Sequence, residues 1–101
     1  MNALAKSDPA TVVWRAWETR AAAATDLCGT NGITTADVDG IQYAATVILR
    51  IRGGSDVAVE RADLEEMKKR ADELRDEPAK AAVRWTMIAL RDLEAQCQPA
   101  T

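Results

Sequence analysis

The 101-residue sequence contains no histidine. That absence removes the commonest general base, the nucleophile triads built on it, the Glu-x-x-His signature of di-iron bundles and every His-containing zinc site. Cysteine is nearly as scarce: Cys28 and Cys97, about 70 residues apart, are the only two, and their separation is far from the short spacing of a zinc-ligand pair. Both fall near expected helix C-termini, where the helix dipole disfavours a thiolate, so burial as small hydrophobes is their expected role. Phenylalanine is missing, and one Tyr and three Trp make up the whole aromatic complement. No uncharged apolar run approaches the roughly 20 residues needed to cross a bilayer. Met1 to Ala10 lacks the apolar core of a signal peptide, so a cytoplasmic location is expected.

Glycine and proline are confined to a few separated points, and long stretches rich in Ala, Glu, Arg, Lys and Leu fill the gaps. This is the composition of an all-α chain. At this length one domain is expected over residues 1–101, burying roughly two-thirds of the surface that the unfolded chain exposes. Short flexible termini are expected at about residues 1–7 and 98–101. Sixteen acidic against thirteen basic residues give a net charge of −3, which argues against general affinity for phosphate backbones or anionic membranes.

The punctuation predicts four helices, at about residues 9–28, 35–52, 57–76 and 78–97. Asp8-Pro9 supplies an N-cap acceptor and a proline whose missing N–H costs nothing in the first turn. Gly29 suits a left-handed residue just past the first helix. Thr34 or Thr35 offers the next cap, with Asp37 and Asp39 at the positive pole of the second helix and Arg50 and Arg52 at its negative pole. Gly53-Gly54 stops that helix and Ser55-Asp56 can cap the third, whose start between Val57 and Asp63 the sequence leaves open. Asp76 or Glu77 with Pro78 restarts the chain. Short connections between helices of similar length predict a compact antiparallel four-helix bundle, in which Cys28 and Cys97 lie at opposite ends.

Winding at about 100° per residue places Ala10, Val13, Trp17, Ala21, Ala24 and Cys28 on one face of the first helix. The third helix carries only a narrow stripe of Leu64, Met67, Ala71 and Leu74, with Val57 in phase. The second and fourth helices have apolar residues over roughly 200° of their circumference, where one stripe somewhat over 100° wide suffices for a square bundle. Val38, Ile41, Ala45, Ile48 and Leu49 form the core stripe of the second helix, leaving Gly40, Tyr43, Val47 and Ile51 as a surplus. In the fourth helix Ala82, Trp85, Ile88, Ala89 and Leu93 face the core, leaving Val83, Met87, Leu90 and Cys97. A monomer is expected to expose Val47, Ile51, Met87 and Leu90, an apolar patch of the size that marks an interaction site.

No catalytic or cofactor constellation emerges. Placing Gly40 of Asp37-Val38-Asp39-Gly40 at the sixth position of a calcium loop puts threonines, Thr35 and Thr46, at the first and twelfth, where carboxylates are essential. Helix capping explains these aspartates. Gly53-Gly54-Ser55 is followed by no Lys-Ser/Thr and preceded by no strand, so it is not a phosphate loop. The helices are too long and too equal for a helix-turn-helix. Neither a metal nor a cofactor is expected, and no catalytic residue is assigned.

The sequence therefore predicts a non-enzymatic protein–protein interaction module, expected to be homodimeric or to bind another protein as an adaptor, an assembly factor or an occupancy inhibitor of the kind phages and mobile elements encode. Its expected interface is Gly40, Tyr43, Val47, Ile51, Val83, Met87 and Leu90, with Tyr43 and Met87 as anchors because aromatics and Met are enriched at interface centres. The alternative is a nucleic-acid or anionic-ligand binder contacting phosphate through Arg50, Arg52, Lys80, Arg84 and Arg91.

Overall fold

The computed structural model describes residues 8–30 and 32–97. Within them the chain is all-α, with α1 at Pro9–Leu27, α2 at Thr35–Arg52, α3 at Val57–Leu74 and α4 at Glu77–Cys97. The expected termini 1–7 and 98–101 lie outside the described residues.

The sequence punctuation works by identifiable hydrogen bonds. At the start of α2, Thr34 Oγ1 accepts from the Asp37 N–H at 3.1 Å, and the Thr34 N–H donates to Asp37 Oδ2 at 3.2 Å. This reciprocal pair satisfies two amides that the helix itself leaves open. Asp56 Oδ1 accepts from the Ala58 N–H at 2.7 Å and starts α3; Asp76 Oδ1 accepts from the Ala79 N–H at 3.1 Å and starts α4. Asp8 occupies the cap position of α1, but its side chain makes no capping bond, so that end relies on the proline. α3 stops two residues before its expected end because Arg75 turns left-handed, with φ 53°. The Asp76 N–H then bonds back to the Ala71 carbonyl at 3.0 Å, in the pattern that closes many helices.

Consecutive helices run antiparallel. Arg52, at the end of α2, donates to Thr11 Oγ1 near the start of α1 at 2.8 Å, and Arg61 near the start of α3 reaches Glu94 near the end of α4 at 2.7 Å. The bundle is not square. α2 packs most extensively on α4, then on α1, while α3 rests mainly on α4. At Gly40 α2 and α4 approach closely: a β-carbon added there would stand 2.9 Å from the Ala81 carbonyl oxygen and 2.9 Å from Trp85 Cδ1. Only a residue without one permits this crossing.

One apolar cluster joins all four helices. Trp17 fills its centre, fully buried, with its indole N–H donating to Asp92 Oδ2 at 2.9 Å and its ring set edge-on to Trp85 at 6.1 Å. A buried indole needs such a partner, and the edge-on geometry suits the ring quadrupoles. The expected first-helix stripe is buried as far as Ala24.

Several expected core residues lie outside. Cys28 and Cys97 are exposed free thiols, because α1 ends a residue early and Cys97 closes α4 at the rim of the bundle. Leu49, 41 % exposed, faces outward because α2 turns its opposite side towards α4. Leu74, 70 % exposed, sits on the last turn of α3, at the end of the helix.

Candidate partner-binding surface

The surplus stripes do not form an exposed patch. Val47 is 2 % and Leu90 0 % exposed, Gly40 and Val83 are buried, and Tyr43, Ile51 and Met87 are half-buried. The expectation that a monomer leaves Val47 and Leu90 exposed is thus corrected. Each stripe is absorbed within one chain because α2 lies between α1 and α4, and α4 faces all three other helices. A helix in such a position needs apolar residues over more than one stripe.

The seven residues do not converge on one surface. Ile51 lines a cleft of about 420 Å³ at the end of the bundle where α1 and α3 begin, with Ala10, Val57 and Leu93. Val83 and Met87 line a second cleft, of about 300 Å³, between α3 and α4. Tyr43 lies beneath the Arg50 guanidinium, 5.9 Å from ring centroid to Cζ.

The α3–α4 cleft has an apolar floor of Ala71, Val83 and Met87, and its walls carry Lys68, Asp72, Lys80 and Arg84. Its shape follows from helix register. Arg61 lies opposite Glu94 and Ala71 lies beside Val83, so by antiparallel stepping Leu64 comes opposite Leu90 and Met67 opposite Met87. α3 therefore covers the second stripe of α4. It covers it thinly, since Leu64 and Ala71 are its only buried apolar residues. The contribution of Ala71, Lys68 and Asp72 was not legible in the sequence, because their meeting with α4 depends on the tertiary register.

The five cations of the alternative reading do not gather either. Arg50 and Arg52 lie at the end of α2, and Lys80 and Arg84 lie near the start of α4, at the other end of the bundle. Arg50 holds Glu60 through two hydrogen bonds, Nη2 to Oε1 at 2.8 Å and Nε to Oε2 at 3.2 Å. Arg52 sits over the Trp14 ring at 5.0 Å. Lys80 approaches Glu77 at 3.4 Å, and Arg84 donates to Asp37 Oδ1 at 3.0 Å. Arg91 is exposed on α4. Four of the five thus already face a carboxylate or an aromatic ring, which lowers the charge they present to an outside anion.

Two carboxylates organise the surroundings. Asp37 accepts from the Trp85 indole N–H at 3.1 Å, from Arg84 and from Thr34. The Trp85 bond first, then the Thr34 amide, hold its pKa down to about 2. These bonds all favour the ionised form. Glu60 is nearly buried and also accepts from Ser55 Oγ at 2.7 Å. Its pKa is lowered chiefly by the Arg50 hydrogen bonds, against a smaller opposing effect of burial. Sequence inspection assigned Asp37 to the helix cap and missed its second role, because nothing local shows that α4 will bring Trp85 and Arg84 to it.

No family model, curated protein or solved structure matches this chain. Among the described residues no three His, Cys, Asp or Glu side chains stand together as a metal site, and no helix is long and apolar enough to cross a membrane. The α3–α4 cleft combines an apolar floor with a charged margin.

Proposed function

We propose that this chain is a non-enzymatic module that acts by binding another protein, with the α3–α4 cleft as its contact surface. The observation that carries the reading is the apolar floor of Ala71, Val83 and Met87, open between charged walls. Met87 is the anchor. It is half-buried at the cleft, and its flexible thioether adapts to a partner's shape. Self-association is one form of this reading, with a second copy entering the cleft.

The test is site-specific photo-crosslinking in the native source, with a benzophenone-bearing amino acid in place of Met87 and, as control, in place of Arg15 on the exposed face of α1. A discrete adduct from position 87 that is absent from position 15 supports the reading, and an adduct of twice the 10.9 kDa chain mass identifies a second copy. Equal labelling at both positions, or none at position 87, overturns it.

A further inference from the structure

We infer that α3 is the separable element of this bundle, opening as a unit while α1, α2 and α4 stay packed, and that its opening uncovers Val83, Met87 and Leu90 on α4. The inference stands on the packing of α3 and holds whether or not a partner then occupies the stripe.

The first support is thin cover. α3 has three buried residues, Glu60, Leu64 and Ala71, of which two are apolar, against seven buried residues in α2 and six in α4. Val59 and Leu74 are more than half exposed and add nothing to its docking. It rests mainly on one helix, α4, with an open cleft beside that contact. Segments with few buried apolar contacts are the ones that open below the global unfolding free energy.

The second support lies at the two ends. Gly53-Gly54 precedes α3, with Gly54 at φ 116°, and glycines without a β-carbon reorient at little steric cost. The other end turns on Arg75, a non-glycine residue in the left-handed region, where a side chain carries a conformational cost.

The third support is a localised latch. Besides its apolar contact, α3 is fastened to α2 by the Arg50–Glu60 double hydrogen bond, and Ser55 in the connection between the two helices holds the same carboxylate, all next to the glycine hinge. A surface ion pair, Arg61 to Glu94, fastens it to α4, with both side chains about half exposed. Glu60 is the only acidic side chain buried among the described residues. Removing its charge therefore weakens the attachment of α3 selectively, since hydrogen bonds to charged groups are the stronger ones.

Native-state hydrogen exchange of the full chain, read by mass spectrometry, tests this directly. The central amides of Val57–Leu74 are expected to exchange at least about tenfold faster than those of α2 and α4. Glu60→Gln is expected to speed α3 by a further tenfold or so while leaving α1 and α2 unchanged. Ser55→Ala, a milder change, is expected to do the same by a smaller factor, and it serves if Glu60→Gln does not fold. Exchange of α3 at the rate of α2 and α4, or variants that speed all four helices alike, overturns the inference. Uncovering is read separately in a chain with Cys28→Ser and Cys97→Ser. There a thiol placed by Leu90→Cys should react faster when Ser55→Ala is added, and one placed by Ala45→Cys should not. Equal acceleration of both thiols would mean global loosening and would also overturn it.

Discussion

Three single positions bear on stability, one by permitting a close crossing and two at a cost. At Gly40 the neighbour is a backbone carbonyl, which cannot swing aside as a side chain can. Gly40→Ala gains about 1 kcal/mol of helix propensity but forces α2 and α4 apart, at a cost of about 1–3 kcal/mol. The expected net result is a loss of about 1 kcal/mol and a melting temperature several degrees lower by circular dichroism; an unchanged or raised midpoint would refute the close crossing. Thr86 presents the opposite case. It is 1 % exposed and its hydroxyl has no hydrogen-bond partner, so it bears a desolvation cost without return. Thr86→Val keeps the shape and is expected to stabilise the chain by about 1 kcal/mol in urea unfolding. A loss of stability would show that the hydroxyl has a partner, such as an ordered water. The left-handed Arg75 invites the third change: Arg75→Gly should raise stability by about 0.5–1 kcal/mol, because glycine adopts that φ without steric cost.

At the scale of the element, the ends of the helices were legible and their partners were not. Thr34, Gly53-Gly54, Asp56 and Asp76 punctuate the chain through local bonds, and Pro9 and Pro78 through their fixed φ and missing N–H; both effects follow from neighbouring residues alone. The start of α2 shows where that reach ends. Thr34 and Asp37 form a local box, yet Asp37 also ties α2 to α4 through Trp85 and Arg84, a link that exists only once both helices are packed. This link is testable by pH. The folded pKa of Asp37 is depressed from an ordinary 3.8 to about 2, so its contribution is complete above pH 4 and is lost as pH falls towards 2. The side chain is 17 % exposed, and the contribution at neutral pH is up to about 2 kcal/mol. Glu60, also depressed, acts in the same direction. Asp37→Asn is therefore expected to lower stability at pH 7 and to flatten, without abolishing, the decline between pH 4 and pH 2. An unaltered slope in urea titrations across that range would rule out the Asp37 link.

At the scale of the molecule, the sequence foretold four antiparallel helices but not the unequal way they lean on one another. Periodicity records how wide the apolar face of each helix is, and the widths of α2 and α4 were visible. What it does not record is which neighbour each face meets, so a width that signified central position inside one chain resembled a surface left for another. The up-down-up-down arrangement itself makes a prediction that depends on no single contact. Cys97 lines the cleft beside Ala10, where α1 begins, whereas Cys28 lies just past the end of α1, its sulfur 3.8 Å from Thr35 Oγ1. The length of α1, about 28 Å at 1.5 Å per residue, therefore separates two exposed thiols, and a disulfide requires Cα atoms within about 7 Å. Mild oxidation of the folded chain should give disulfide-linked dimers through either cysteine and no internally bridged monomer, as judged by non-reducing electrophoresis and peptide mapping. After unfolding in urea the internal bridge should form readily, because loop closure over such a span costs an unfolded chain only a few kcal/mol. An internal bridge formed at a comparable rate in the folded chain would place both thiols at one end and rule out this arrangement of the helices.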